Sequence, residues 1–139
     1  MLTSCANTVT QGYEGQPLPD GETALVRTKG RGVASFTRIV SVDTPLGESI
    51  PVRTLSIRLA PRETCLGLQG GRATNHLVVS VCFLPYADHQ YELRRARGPF
   101  VIDRALYPAE GRGPILLLRD LTTSENVAAV RVPEAEVDE

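Results

Sequence analysis

Tryptophan is absent from the 139-residue chain, and phenylalanine and tyrosine together make up only 5% of it. So few rings supply no stacking platform for single-stranded nucleic acid. A net charge of −1 adds no electrostatic reason to expect a nucleic-acid partner. Long apolar runs are missing as well. The longest, "LVVSVCFLP", falls far short of the roughly 20 residues that a membrane-crossing helix needs. Histidine occurs twice, and no CxxC or HxH spacing accompanies it, so a metal site has no support. There is no Walker A pattern, no GxGxxG opening a helix, no HExxH and no Gly-x-Ser-x-Gly elbow. Without a nucleophile, base and oxyanion donor to assemble, the chain reads as a non-enzyme that uses no cofactor.

What is present is punctuation. The chain carries 10 prolines and 12 glycines, with 42% hydrophobic and 22% charged residues. That density suits short strands joined by turns rather than long helices. The length is that of one domain able to bury its own core. Period-two alternation marks "VRTLSIRL" (52–59), with Leu55, Ile57 and Leu59 on one face and Ser56 and Arg58 on the other. The same reading gives strands at 23–27, 34–43, 64–69, 76–84, 90–96, 100–106, 115–121 and 126–132. Tyr91 and Leu93 face inward. The run 76–84 is apolar enough to belong mid-sheet with both faces covered. "DLTTSENV" has the chemistry of a hairpin turn. About seven to nine short strands at this spacing predict an all-β fold, an antiparallel β-sandwich. Residues 1–21 read as a flexible N-terminal tether, 22–133 as the sandwich and 134–139 as an acidic tail. That tail holds Glu134, Glu136, Asp138 and Glu139, a solvated end by composition.

Polar clusters give few leads to chemistry. His89 follows Asp88, but neighbours on a strand face opposite ways, so "PYAD" reads as a turn with His89 capping the next strand. His76 follows "GGRATN", a glycine-bearing segment that a hairpin turn accounts for. Arg94, Arg95 and Arg97 concentrate positive charge in "LRRARG", with Arg104 and Arg119 on nearby runs. They form a surface suited to anions, since guanidinium groups match phosphate geometry, or guard an exposed sheet edge. Strands 23–27 and 126–132 are the edges open to a partner strand.

Three cysteines remain. Leu2-Thr3-Ser4-Cys5 resembles the lipobox of bacterial lipoproteins, in which a leucine and two small residues precede the acylated cysteine. The hydrophobic segment that the family places before this motif does not stand before Leu2, where only Met1 is found. Farther on, Tyr13-Glu14-Gly15-Gln16-Pro17-Leu18-Pro19 is similar to a Tyr-x-Gly-x-x-Leu-Pro segment of small proteobacterial lipoproteins. Asp88-His89-Gln90-Tyr91 resembles their Gly-His-x-Tyr segment, with Asp88 in place of glycine. The resemblance implies lipidation at Cys5, a membrane anchor through the N-terminal lipid, and a β-rich domain on the periplasmic face of the outer membrane. It implies no catalytic residues. With Cys5 assigned to lipid, Cys65 and Cys82 are left as a pair flanking a glycine-bearing turn. A disulfide is expected there, with buried thiols or metal ligation as alternatives. The chain then reads as a lipid-anchored interaction or scaffold module for an envelope protein partner. The alternative is a sandwich that binds a small or lipidic envelope ligand.

Overall fold

A computed structural model describes residues 9–28, 36–70, 78–96, 99–102, 104–107 and 115–131. Among them are twelve strands and one 3-10 turn at Asp20–Glu22. The strands are β1 (Thr10–Gln11), β2 (Ala24–Thr28), β3 (Phe36–Asp43), β4 (Ser49–Thr54), β5 (Ser56–Leu59) and β6 (Thr64–Gly70), followed by β7 (Val78–Phe83), β8 (Gln90–Ala96), β9 (Phe100–Ile102), β10 (Ala105–Tyr107), β11 (Ile115–Asp120) and β12 (Glu125–Arg131).

A six-stranded sheet in the order β1-β5-β2-β8-β11-β12 faces a four-stranded sheet in the order β4-β3-β6-β7, with a β9-β10 ribbon beside them. The fold is a β-sandwich. Val26, Ile57, Leu93 and Leu118 of the larger sheet share one core with Ile39, Val42, Leu66 and Leu68 of the smaller. Phe83 meets Tyr91 edge to face, with ring centroids 5.1 Å apart.

Three departures take the expected strands to twelve. The first is at Leu55. Strand 52–59 divides there, because the chain leaves one sheet after Thr54 and enters the other at Ser56. The Thr54 hydroxyl donates to Ser56 O at 2.8 Å and accepts from Ser56 N–H at 3.2 Å, which fixes the crossing. Leu55 is thereby left exposed instead of joining Ile57 and Leu59 in the core. Second, 100–106 folds back on itself as β9 and β10, with Ala105 opposite Ile102.

The third departure lies within the expected tether. Thr10 and Gln11 pair in parallel with Ile57 and Arg58, and Tyr13 is buried. Gly12 allows this approach: a Cβ on it would stand 2.7 Å from Ile57 Cδ1 and 2.9 Å from Leu59 Cδ2. Residues 1–8 and the acidic tail 134–139 lie outside the described residues.

The sheets are not purely antiparallel, since β1–β5 and β2–β8 are parallel pairs. Strand β7 is an edge rather than a central strand. Its inner face carries the buried Val81 and Phe83, while Val78, Ser80 and Cys82 are exposed. Strand β2 lies inside the large sheet, whereas β12 is its outermost strand. Strand β8 lies between β2 and β11, but its pairing with β2 ends at Leu93, so among the described residues Arg94 and Arg95 are flanked by β11 alone.

Candidate functional site

Cys65 and Cys82 are direct partners in the β6–β7 register. They form a disulfide with Cα atoms 4.0 Å apart. It lies on the outer face of the small sheet, with Cys82 exposed and Cys65 half-buried. Cys5, Arg97 and His76 fall outside the described residues. On β8, Arg94 pairs with Glu92 at 3.6 Å, and Arg95 is exposed.

Among the described residues, a polar cluster sits at the end of the sandwich where β8 begins and β11 ends. Segment 85–89 turns the chain between the sheets, with Asp88 in the left-handed region at φ 68°. That is backbone that glycine adopts without cost and aspartate tolerates. Asp88 N–H donates to Thr23 O at 2.8 Å, and His89 O accepts from Leu25 N–H at 3.0 Å, so the turn is tied to β2.

His89 does not use its neighbour Asp88. Its Nδ1 donates to Oδ2 of Asp120, 31 positions along the chain, over 2.7 Å. The other carboxylate oxygen accepts from Thr122 N–H at 2.8 Å and Thr123 N–H at 3.2 Å. Asp120 is buried, and so is Tyr91, its direct cross-strand partner. The Tyr91 hydroxyl accepts from Tyr86 N–H at 2.9 Å and feels the charge of the Asp120 carboxylate. Rings of Tyr86 and Tyr91 flank the imidazole at centroid distances of 5.5 Å and 6.2 Å.

One carboxylate thus closes the β11–β12 turn and aims the imidazole, opposite a buried phenol. The chemistry this serves is a latch between the loop entering β8 and the turn leaving β11. Gln90 N–H donating to Thr122 Oγ1 at 3.0 Å and Leu121 N–H donating to Gln90 O at 2.7 Å join the same two segments. His89 stands immediately before β8, as its sequence suggests, but its partner lies 31 positions away. The signal for Asp120 is the aspartate opening "DLTTSEN", since Asp side chains accept backbone N–H bonds two and three residues on. Among the described residues, no group of three or more His, Cys, Asp or Glu side chains is arranged to hold a metal ion.

Burial pushes the Tyr91 hydroxyl above its ordinary value of 10.0, and the adjacent Asp120 charge adds to the rise, while the Tyr86 N–H opposes it. The folded state therefore keeps a proton that the unfolded chain releases above about pH 10. Stability from this group is full below pH 10 and falls as pH rises toward the folded value, by up to about 1.4 kcal/mol per pH unit. Urea midpoints measured from pH 8 to 11 should drop at the alkaline end, and Tyr91→Phe should flatten that drop. An equal drop in the variant would place the alkaline sensitivity elsewhere.

Comparison of the chain with protein families, with curated proteins and with solved structures gives no match.

Proposed function

We propose that the protein is a lipid-anchored module of the bacterial envelope, acylated at Cys5, facing the periplasm from the outer membrane and acting through its surface rather than as an enzyme. The observation that carries this reading is the Cys65–Cys82 disulfide. Such bonds persist in oxidising compartments and are rare in the cytosol of mesophiles. The Leu2-Thr3-Ser4-Cys5 motif supports the same address from the sequence, and β1 begins at Thr10, shortly after Cys5. A further support is Asp88, whose positive φ suits the glycine of the segment it resembles. The role of the sandwich is to hold surface strands and loops in fixed relation for an envelope partner.

The test is the intact mass of the protein made from its full-length gene in a bacterial host, with and without reduction and alkylation. A mature chain beginning at Cys5 with added acyl mass, and two thiols alkylated only after reduction, is the expected result. An unacylated chain in which three thiols alkylate without reduction would overturn the reading.

A further inference from the structure

The strand registers sort the charged side chains of the sandwich to opposite ends. Strand β1 runs parallel to β5, so the chain before Thr10 enters beside Ser56. Thr28 closes β2 at this end, where its N–H donates to Leu55 O at 2.9 Å. Parallel pairing of β2 with β8 places Thr28 beside Leu93, so Arg94 and Arg95 lie beyond it. Antiparallel pairing adds the start of β11 and, through it, Arg131 of β12. In the facing sheet, Thr54 leads directly into β5, which brings Arg53 here, and Arg38 sits beside Ile39, the partner of Thr54. The described charges at this end are thus arginines, with Glu92 the acid that pairs one of them.

The opposite end is built from acids. Asp20 and Glu22 precede β2, Asp43 and Glu48 flank the β3–β4 turn, and Asp88 and Glu125 adjoin the His89 latch. Arg62 after β5 and Arg104 between β9 and β10, whose Val101 O accepts from Asn126 near the start of β12, are exposed cations there, while Arg58 is matched by Asp20 at 3.6 Å and Arg119 donates to Asn126 Oδ1 at 2.8 Å.

We propose that the arginine end is a docking surface for an anionic phospholipid bilayer. Arg27, Arg53 and Arg95 are exposed around it on three different strands, and exposed Leu55 and Val78 lie at the same end. Guanidinium groups recognise phosphates, and apolar side chains between them fit the headgroup boundary. The N-terminus supplies the second argument, because the segment that carries Cys5 joins the fold at this end. A sandwich docked this way turns its acidic end, with the latch, away from the membrane. The surface deepens the envelope reading above and rests on it, but its binding to anionic lipid does not need the acyl group.

The experiment uses the full oxidised chain carrying Cys5→Ser, so that failure of acylation and failure of docking are separate results. Cosedimentation is measured with phosphatidylcholine vesicles and with vesicles containing about 30% phosphatidylglycerol. Expected is binding to the anionic vesicles alone, released when salt is raised from roughly 0.05 M to 0.5 M. The combined Arg27→Glu, Arg53→Glu and Arg95→Glu variant should lose on the order of a hundredfold in partition. Arg62→Glu with Arg104→Glu, at the other end, should leave it unchanged, and thermal melts verify that both variants fold. No binding to anionic vesicles, equal loss in the control variant, or tighter binding to a DNA duplex than to the vesicles would overturn the proposal.

Discussion

Replacing Cys65 and Cys82 together with serine is expected to lower the unfolding free energy by about 3 kcal/mol. The bond closes a loop of 17 residues between directly paired positions. In the chain-entropy picture its effect lies mostly in the unfolded ensemble, which loses conformations when the loop is tied. Two observations keep the folded-state contribution small. Cys82 is exposed, so its sulfur leaves no core cavity when replaced, and β7 keeps its ladder with β6 and its buried Val81 and Phe83. For a domain of this size the loss corresponds to a melting temperature lower by about 10 °C. Urea unfolding of the variant should show a lower midpoint together with a steeper m, because the untied unfolded chain exposes more surface. A change under about 1 kcal/mol would mean that the oxidised unfolded state retains the hairpin and has little entropy left to lose.

Asp120→Ala is expected to cost about 3–4 kcal/mol, the second large effect. The substitution strips partners from His89 Nδ1 and from the backbone N–H groups of Thr122 and Thr123 in one step. Tyr91, buried opposite Asp120, loses the charge that raises its hydroxyl pKa. Donors stranded in this way cost about 1–3 kcal/mol each where water cannot reach them, less where the turn relaxes into solvent. Asp120→Asn should cost less, since the amide oxygen still accepts from the turn. His89→Ala should cost less again, because the imidazole is only half-buried. Thermal melts of the three variants check the ranking. Adding His89→Ala to Asp120→Ala should add little, as both break the same link. Amide exchange at Thr122 and Thr123 should quicken in Asp120→Ala far more than in His89→Ala. Equal quickening in both would show that the imidazole, not the carboxylate, holds the turn.

Where strands alternate without interruption, the sequence displays the fold. Tyr91 and Leu93 are buried as their spacing predicts, and the "DLTTSENV" turn joins β11 to β12. The cysteine pair was legible for a related reason, since Cys65 and Cys82 lie in strand-like runs on either side of "GGRATN", and antiparallel pairing sets them opposite each other. Alternation misleads where the backbone changes step. The register shifts between Ile39 and Ser41, and this bulge buries Ile39 and Val42 together although their spacing is odd. At Leu55 the pattern runs on unbroken while the chain changes sheets. A two-residue strand such as β1 has no period to detect, and its place depends on the missing Cβ of Gly12. The polar cluster was hidden for a different reason. His89 and Asp120 meet only because β8 and β11 are neighbours, a fact of topology that no local spacing carries.

The parallel pairing of β2 with β8 has a consequence for the order of assembly. Val26 lies beside Tyr91, and the whole run from β3 to β7 separates them in the chain. Closing so long a loop comes late, because its entropy is lost before any ladder bond repays it. The β6–β7 hairpin needs only a short excursion and can form first. Oxidation then has a local substrate, with Cys65 and Cys82 already opposed while the large sheet is still open. Such a chain should acquire its covalent link early and its compactness slowly. Its half-built large sheet would expose β2 and β8 to other chains in the interval.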